Sequence, residues 1–308
     1  MILKMCFFGL GSIGIRHLKN LRYIEKLENY KFEIHAFRSN AYKSNDVPHD
    51  LIDKEIFEEI NLEFYDVIFI TNPTIMHFNT IKDNISKTKN MFIEKPIFHT
   101  SKVNIEELDF REDGIYYVAA PLRFNPVIRY IKENVLPEEV ISIRVICSSF
   151  LPEWRKGENY KENYSAKKEM GGGVSLDLIH EIDYIRYLFG DPLEVVNFRK
   201  KVSNLEIDSE DLSVYLLVYS DKIVELHLDY FGRVPRREIE IFLNDEVMIG
   251  DLINNKIKFL TKKEEICFPT IDIYIEEMKY FLNSINSKKK TYNEYEDAYK
   301  TLKICEGR

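Results

Sequence analysis

The sequence feature that most constrains the fold is GLGSIG at residues 9–14, between an apolar run and a helical pattern. In this context the first glycine permits a tight turn, the second lets a pyrophosphate approach the backbone, and the third lets helix and strand pack closely. The N-terminus of the following helix attracts the anion. The loop therefore predicts a dinucleotide site; the alternative is a glycine-rich turn without a ligand. The predicted cofactor contacts in this loop are Gly9, Gly11, Ser12, Ile13 and Gly14.

The first third of the chain alternates continuous apolar runs with helical patterns, which is typical of a parallel sheet covered on both faces. A helix is expected after the third strand, with Thr74 as its N-cap. The predicted strands cover residues 1–8, 32–37, 65–70, 91–93 and 115–119, and the predicted helices cover residues 13–27 and 74–87.

Near residue 121 the pattern changes to strands with hairpin-like spacing and few helices. Asn125 and Pro126 are expected to begin a helix as N-cap and first residue. The predicted elements are a strand at 140–150, a loop at 151–170, a helix from the GGG at 171–173 to Phe189, four or five strands between 195 and 260, and helices at 271–284 and 292–306.

These patterns predict an α/β chain of two domains. The first, residues 1–121, is a Rossmann doubly wound parallel sheet that binds NAD(P). The second, residues 122–308, is an α+β domain with a large, mostly antiparallel open sheet for substrate binding and oligomerisation. An alternative position for the last helix is against the first domain.

Charge and cysteine usage narrow the partners and the compartment. The 308 residues carry a formal net charge of −8, which argues against nucleic acid or an anionic membrane as the main partner. The apolar N-terminus is interrupted at Lys4 and lacks a small-residue cleavage site, so we do not expect a signal peptide. The four scattered cysteines predict reduced thiols in a cytoplasmic protein and no metal site.

The end of the second strand predicts which dinucleotide binds. An acid there would accept the ribose 2′-hydroxyl of NAD, but Phe37 is followed by Arg38 and Ser39. A guanidinium and a hydroxyl suit a 2′-phosphate, so NADP is preferred over NAD. The alternative is a solvated arginine that follows a strand.

The third strand ends with Thr71, Asn72 and Pro73, where a doubly wound sheet presents its strand ends to the ligand crevice. These residues are predicted to contact the cofactor; the alternative is that they only end a strand and cap a helix. His77 follows in the first helical turn, and we expect it to support the cofactor site rather than act in catalysis.

The stretch MFIEKPIF ends the fourth predicted strand with Glu94, Lys95 and Pro96. The proline would fix the turn and aim the amine, and the carboxylate could pair with the lysine or orient it. Lys95 is then placed to donate to a substrate oxygen and to help carry its proton. The alternative is an exposed lysine in a turn.

The predicted helix after the GGG carries Asp177 and His180 at i, i+3, which places them on one face. A histidine titrates near neutral pH, so His180 could take a hydroxyl proton while hydride leaves the carbon. Asp177 could hold the ring or bind a substrate hydroxyl. The alternative is a histidine that caps the helix or fills an interface; Asp183 is interpreted as a solvated charge.

With GxGxxG, Glu-Lys-Pro and a GGG…Asp…His helix in this order, nearly the whole chain resembles the Gfo/Idh/MocA family of NAD(P)-dependent oxidoreductases. The resemblance implies that Lys95 is the catalytic lysine, that Pro96 is a cis proline, and that Asp177 and His180 are the acid and histidine of the second domain. The family usually has Asp-x-x-x-His, whereas this chain has Asp-x-x-His. Alignment from the end of the helix selects His180 as the family histidine, and alignment from the GGG would select Glu181.

By the same resemblance, the loop before the GGG overhangs the substrate. Its cations and tyrosines would suit a substrate with an anionic group and hydroxyls, and its tryptophan could stack on a sugar ring. The alternative is a basic and aromatic surface loop. The predicted substrate contacts are Trp154, Arg155, Tyr160 and Tyr164, with Lys156 beside them, Arg123 as a second anion binder, and Asn125, which is first an N-cap.

The expected function is hydride transfer between NADP or NAD and a hydroxyl or carbonyl carbon of a polar, anionic sugar. A nucleotide sugar or sugar acid of surface-glycan synthesis is favoured. The alternatives are an NAD-retaining glycosidase of the same fold and a non-catalytic dinucleotide sensor. A homodimer or homotetramer through the second-domain sheet is expected, because residues 213–220 fit a strand that is apolar on both faces.

Overall fold

The computed structural model describes residues 2–38, 50–155 and 157–308. Within them the chain forms fourteen strands. The strands are β1 (Ile2–Phe8), β2 (Lys31–Phe37), β3 (Lys54–Ile56), β4 (Tyr65–Ile70), β5 (Thr88–Ile93), β6 (Ile115–Val118), β7 (Val140–Phe150), β8 (Glu194–Lys200), β9 (Leu212–Val218), β10 (Ile223–Asp229), β11 (Phe231–Leu243), β12 (Val247–Asp251), β13 (Lys256–Phe259) and β14 (Glu264–Cys267).

Seven α-helices connect or follow these strands in the described part of the chain. They are α1 (Ser12–Leu27), α2 (His77–Asn84), α3 (Pro126–Asn134), α4 (Val174–Asp177), α5 (His180–Phe189), α6 (Ile273–Ser287) and α7 (Tyr295–Cys305). No helix in the described ranges is both long enough and apolar enough to cross a membrane.

The chain divides into two structural units, each with its own sheet. The first unit is Met1–Ala119 with Asp272–Tyr299, and the second is Ala120–Ile271 with Lys300–Arg308. The sequence-based boundary at residue 121 therefore needs one change, because residues 272–299 return to the first unit. The sequence suggested that only the last helix packs on the first domain, whereas the first unit takes up all of residues 272–299.

The first unit is built on a six-stranded parallel sheet of order β3-β2-β1-β4-β5-β6. The strand order reverses between β1 and β4, and ligands of doubly wound sheets bind beside the carboxyl ends of the strands at such a point. The predicted Rossmann-type doubly wound sheet is confirmed. The sequence analysis missed the three-residue strand β3, which is too short for an alternation pattern to reveal.

Aromatic packing explains why α6 belongs to the first unit. Phe7 and Phe69 stack on neighbouring strands with ring centroids 4.3 Å apart. Phe281 of α6 packs edge-on against Phe92 at 5.3 Å, and all four rings are fully buried. Burial of aromatic rings supplies large apolar area, so α6 is an integral layer of this core.

The second unit is built on an eight-stranded sheet of order β14-β13-β12-β11-β7-β10-β9-β8. Every neighbouring pair is antiparallel except β7 and β10, so the predicted mostly antiparallel sheet is confirmed. Seven strands follow residue 190, more than the four or five expected, because short strands at 247–251, 256–259 and 264–267 form a meander. Helices α3 and α4 pack on one face of the sheet.

The other face of this sheet mixes apolar and charged side chains. On β9, Tyr215 and Leu217 are buried, whereas Val214 and Leu216 lie on the opposite face and are partly exposed. Arg144 lies at the centre of that face. Strand β9 is therefore apolar on both faces, whereas Arg144, Glu225 and Glu240 form a charged row across the middle of the sheet.

Two local predictions about helices are wrong. Thr74 is not an N-cap, because Pro73 precedes a 3-10 turn at Thr74–Met76 that has no side-chain cap. The single helix expected after the GGG is two helices, α4 and α5, that break at Leu178 and Ile179. By contrast, the start of α3 is confirmed, since the Val127 amide donates to Oδ1 of Asn125 at 2.9 Å.

Candidate active site

The glycine loop is held tightly at two of its glycines and open at the third. Gly9 has φ +104°, and a Cβ there would lie 2.4 Å from the Asn72 backbone nitrogen. A Cβ on Gly14 would lie 2.4 Å from the Gly9 carbonyl oxygen. A Cβ on Gly11 would have no atom within 4 Å, so Gly11 is the position with space beside the backbone. These are the three roles that the sequence assigned.

Helix α1 begins at this loop with its first amides uncapped. Gly11 occupies the N-cap position with extended backbone and supplies no side-chain hydrogen bond. No acidic residue lies in the first turn, which contains Ser12, Ile13 and Gly14. Amide groups at a helix N-terminus need acceptors, and an anion supplies them. The arrangement fits a pyrophosphate at residues 11–14.

A cavity of about 640 Å³ opens beside the glycine loop. Its walls include Gly9, Arg38, Asn72 and the exposed apolar residues Ile75 and Met76. Pockets of several hundred Å³ with an apolar wall and a few polar groups are typical small-molecule sites. The volume and lining fit the adenosine half of a dinucleotide.

Arg38 and Asn72 supply the polar groups of this cavity. Arg38 directly follows β2, and its amide donates to the Ile56 carbonyl at 2.8 Å. The Asn72 amide nitrogen donates to Oγ1 of Thr80 at 2.8 Å, whereas its Oδ1 is buried without a hydrogen-bond partner among the described residues. Ser39, the other predicted contact, lies outside the described residues.

Thr71 and His77 contact the backbone of the loops that are predicted to bind the cofactor. The Thr71 hydroxyl is buried and lies 2.6 Å from the Gly9 carbonyl, so it fixes the turn of the glycine loop. His77 is buried with Nε2 2.9 Å from the Asn72 carbonyl and Nδ1 3.1 Å from the Ile97 carbonyl. Burial lowers the pKa of His77, although the two carbonyls oppose this shift, and a neutral ring donates to only one of the two. Pro73 begins the 3-10 turn beside them.

Lys95 lies two residues after the end of β5, at the same edge of the sheet as the glycine loop, and is half-buried. The Lys95–Pro96 peptide is cis, as the family resemblance implies. The carboxylate of Glu94 contacts the backbone of the lysine: the Lys95 amide donates to Oε2 of Glu94 at 3.2 Å. Glu94 therefore orients the turn that presents the amine.

In the second unit, Asp177 is the centre of a polar and aromatic cluster. It ends α4, is 7% exposed, and accepts a 2.5 Å hydrogen bond from the Tyr230 hydroxyl. Burial, and then the charge of Asp177, raise the pKa of both Tyr230 and Tyr164. Both phenols therefore stay protonated near neutral pH and can act as hydrogen-bond donors.

The tryptophan and the arginine of the preceding loop join this cluster. The Trp154 ring lies edge-on to Tyr230 with centroids 5.2 Å apart, and its Nε1 donates to Oγ of Ser149 at 2.9 Å. The Arg155 guanidinium lies 5.3 Å from the Tyr164 ring centroid. Tyr160 points elsewhere, because its hydroxyl accepts from the Glu206 amide at 3.3 Å. Lys156 lies outside the described residues.

The break between α4 and α5 changes how Asp177 and His180 are related. They lie on separate helices, so the argument that they share one helix face is wrong. His180 is the first residue of α5 and is half-buried. Glu181, the alternative for the family position, is fully buried with Oε1 2.6 Å from Nε of Arg237. A carboxylate in a buried ion pair is unsuited to bind substrate, which favours His180.

Two further predicted substrate contacts have internal partners instead. Arg123 is 4% exposed and binds Asp183 bidentately, with Nη2–Oδ1 at 2.7 Å and Nε–Oδ2 at 2.9 Å. The interpretation of Asp183 as a solvated charge is therefore wrong, and the geometry does not favour Arg123 as an anion binder. Asn125 caps α3 with Oδ1 and donates to the Leu252 carbonyl with Nδ2 at 3.2 Å. Its side-chain polar atoms are therefore engaged by the protein itself.

The sequence analysis missed two residues, His17 in the first unit and Tyr230 in the second. Tyr230 lies in an apolar stretch 53 residues from its partner Asp177, so only the fold brings the two together. His17 is fully buried, and its Nε2 lies 2.6 Å from Oε1 of Glu94. The sequence did contain a signal for His17, because a histidine on the apolar side of α1 needs a buried polar partner.

Comparison with known proteins supports the fold and the domain type. Residues 131–246 match the family model described as the GFO/IDH/MocA C-terminal domain. The uncharacterized oxidoreductase YrbE of Bacillus subtilis (strain 168) is 27% identical over 195 residues, which cover 61% of this chain and 54% of that protein. The 2,7-anhydro-N-acetylneuraminate hydratase of Escherichia coli (strain K12) is 26% identical over 141 residues, 44% of this chain and 37% of that protein. The matches thus span about half or less of these relatives.

Solved structures share the fold over the whole chain. A UDP-N-acetylglucosamine 3-dehydrogenase from Acidithiobacillus ferrooxidans superposes with a TM-score of 0.80 at 18% identity, covering 99% of this chain and 96% of that one. A levoglucosan dehydrogenase in complex with NADH and levoglucosan gives 0.83 at 15% identity, covering 100% and 96%. The match of residues 131–246 to the GFO/IDH/MocA C-terminal domain agrees with the resemblance in the sequence.

Proposed function

We propose that this protein is a nicotinamide-dependent oxidoreductase that interconverts a hydroxyl and a carbonyl group on a sugar. The observation that carries the proposal is the placement of Lys95, which leaves β5 at the edge where β1 presents the glycine loop. A proton-carrying amine and a dinucleotide site at one sheet edge are what alcohol oxidation requires. The relatives named oxidoreductases and sugar dehydrogenases support the reaction class.

Each candidate residue has its own role in the proposed reaction. Bound nicotinamide would supply a two-electron acceptor for hydride. In the oxidative direction Lys95 or His180 takes the hydroxyl proton, and in the reductive direction the same group returns it. Asp177, held by the Tyr230 phenol, accepts a hydrogen bond from a substrate hydroxyl. Trp154 offers an aromatic surface to the sugar ring.

We propose a substrate with an anionic group distant from the reacting carbon, such as a nucleotide sugar or a sugar acid of surface-glycan synthesis. Asp177 would repel an anion near the reacting carbon, so the anionic group needs a separate cation. Arg155 is half-buried beside Tyr164, and its nearest acid, Glu158, is 3.9 Å away. The solved dehydrogenase for UDP-N-acetylglucosamine supports this substrate class.

A second candidate is a reaction that is redox-neutral overall, such as that of an NAD-retaining glycosidase. It is favoured by the relative named as a hydratase of an anhydro-sugar. In such a reaction the hydride would be returned to the same substrate, so the protein would keep its cofactor through purification and release no reduced cofactor.

Replacement of Lys95 by methionine tests the proposed reaction. The variant keeps the length of the side chain but removes the amine, so turnover should fall at least about a hundredfold. The cofactor dissociation constant should change by less than about threefold, because the glycine loop is intact. Absorbance of the reduced cofactor measures turnover on UDP-N-acetylglucosamine, levoglucosan and myo-inositol, and fluorescence titration measures binding.

Lys89→Met is the matched control, since Lys89 lies on β5, the strand before the Lys95 turn, and pairs with Asp113 at the surface. It should leave turnover unchanged. Equal turnover in Lys95→Met and wild type would remove Lys95 from the mechanism. A wild type that binds cofactor but turns over nothing would favour a sensor, and copurified cofactor without net reduction would favour the redox-neutral reaction.

We propose that the glycine loop binds the cofactor pyrophosphate, and two alanine variants separate binding from folding. Gly11→Ala should lose at least about tenfold in NADH affinity with an unchanged unfolding midpoint, because its Cβ meets no protein atom but would stand in the anion's path. Gly9→Ala should lower the unfolding midpoint itself, because its Cβ would lie 2.4 Å from the Asn72 nitrogen. Thermal unfolding and fluorescence titration with NADH distinguish the two. Full NADH affinity in Gly11→Ala would contradict this site.

We propose a preference for NADP over NAD, based on Arg38 at the end of β2. Glu59 lines the same cavity and would instead accept the 2′-hydroxyl of NAD. Arg38→Ala should weaken NADPH binding by about tenfold to a hundredfold, the worth of a hydrogen bond to a charged group, and change NADH binding little. Parallel fluorescence titrations measure both. Tighter NADH binding by the wild type, with a loss in Glu59→Gln, would assign the cavity to NAD.

We propose that the mixed face of the second-unit sheet forms a homodimer or homotetramer. Arg144 lies between Glu225 and Glu240 at 3.3 and 3.9 Å, and Leu216 and Ile249 flank this charged row. An apolar surface with a central charged row suits a self-complementary two-fold contact.

Leu216→Arg should convert the assembly to a monomer, because it adds a charge to the apolar part of that face. Leu136→Arg, at an exposed position in the turn before β7, should not. Sedimentation velocity measures the mass of each species. A wild type that remains monomeric at high protein concentration would contradict the proposal.

We also propose a cytoplasmic protein with reduced thiols. None of the four cysteines forms a disulfide, and Cys6, Cys147 and Cys305 are buried. Burial raises the pKa of Cys6 and of Cys305 to about 12, so these thiols are unreactive. Titration of native and unfolded protein with a thiol reagent should find four thiols only after unfolding; fewer than four would contradict the reduced state.

A further inference from the structure

The dinucleotide-binding helix contacts the lysine turn through a buried histidine. His17 of α1 is fully buried, with Phe92 edge-on at 4.9 Å and Tyr274 at 6.4 Å between ring centroids. Its Nε2 lies 2.6 Å from Oε1 of Glu94. All of these residues belong to the first unit. The contact joins α1, which begins at the glycine loop, to the residue before Lys95.

The carboxylate of Glu94 makes one contact with each oxygen. Oε1 meets His17, and Oε2 accepts from the Lys95 amide at 3.2 Å. The Glu94 amide itself donates to the Ile70 carbonyl on β4 at 2.8 Å. Burial raises the pKa of Glu94, but the hydrogen bond from His17 and the nearby charges bring it below its ordinary value, so Glu94 is ionised at neutral pH.

The geometry also fixes where the histidine proton lies. Nδ1 of His17 is buried and has no hydrogen-bond partner in the part of the chain that the structure describes. A neutral imidazole has one N–H, and the ionised Glu94 can only accept a hydrogen bond. Nε2 of His17 therefore carries a proton, and the ring acts as a donor to the carboxylate.

Stability alone does not account for this pair. A buried carboxylate carries a desolvation cost that its partner offsets only with good geometry, and apolar residues of similar volume fill such space without that cost. The carboxylate has a second contact, to the lysine backbone, that an apolar pair could not make. The pair thus has a geometric role that depends on its polar atoms.

We propose that His17 is a positioning residue: through Glu94 it fixes the backbone of Lys95 and so the direction of the amine. The consequence for turnover rests on the proposed function, whereas the consequence for the lysine turn does not. Misplacement of a reacting group by about 1 Å can cost on the order of a hundredfold in rate. Loss of the His17 donor should therefore affect the chemical step more than cofactor binding.

Two amide variants of His17 differ only in reach. Gln places its amide nitrogen near the position of Nε2 and can still donate to Glu94, whereas Asn ends near the position of Nδ1 and cannot. His17→Asn should speed hydrogen–deuterium exchange of the Lys95 amide at least about tenfold, because Glu94 is no longer held. It should lower kcat by about tenfold to a hundredfold with KM and NADH affinity within about threefold. His17→Gln should restore both the exchange rate and kcat.

The matched control is His35, a second buried histidine of the same unit. Its Nε2 lies 2.9 Å from Oε1 of Glu33, on β2 and apart from the lysine turn. His35→Asn should reduce stability in thermal unfolding but leave Lys95 exchange and kcat unchanged.

Three outcomes would overturn the proposal: unchanged Lys95 exchange in a folded His17→Asn, faster exchange in a folded His17→Gln, or equal effects from His35→Asn. If the Asn variant does not fold, the Gln variant still decides between rescue and loss. If the wild type has no dehydrogenase activity, the exchange measurements test the pair independently, so failure of the proposed function is distinguished from failure of this inference.

Discussion

The first unit depends on the close approach of the loops that follow two adjacent parallel strands, β1 and β4. No side chain can occupy Gly9, because its Cβ would lie 2.4 Å from the Asn72 nitrogen, and the Thr71 hydroxyl holds the Gly9 carbonyl at 2.6 Å. This contact sets the direction in which α1 leaves the sheet. It therefore determines where the uncapped amides of the helix point, and where an anion can bind.

Buried ion pairs determine which charged residues remain available for a ligand in the second unit. Arg123 is bound by Asp183 and Arg237 by Glu181, and both carboxylates are less than one-tenth exposed. Removal of one member of such a pair leaves an uncompensated charge, so these arginines act as structural cations. Arg155 lies in a different setting, over the ring of Tyr164. Asp177 is set in a different environment, where it accepts a hydrogen bond from the Tyr230 phenol.

Local patterns were sufficient to predict the sheet types, the glycine loop and the Lys95 turn, because each depends on neighbours in sequence. They failed where distant segments decide. The helix predicted through Asp177 and His180 had no glycine or proline to mark its break at Leu178, and the break removed the shared face. Arg123 was predicted to bind an anion and Asp183 to be a solvated charge, since a pair 60 residues apart has no local signature. Ser39, the second predicted phosphate contact, lies outside the described residues.

The two histidine–carboxylate contacts of the first unit show why burial alone does not indicate a role. His35 has partners at both nitrogens, Tyr65 and Glu33, and these contacts satisfy its polar groups locally. His17 satisfies one nitrogen, and does so through a carboxylate whose other oxygen holds the amide of Lys95. Replacement of His35 is therefore expected to disturb only contacts within β2 and β4. A change at His17 is transmitted to the one turn of the sheet edge that presents an amine.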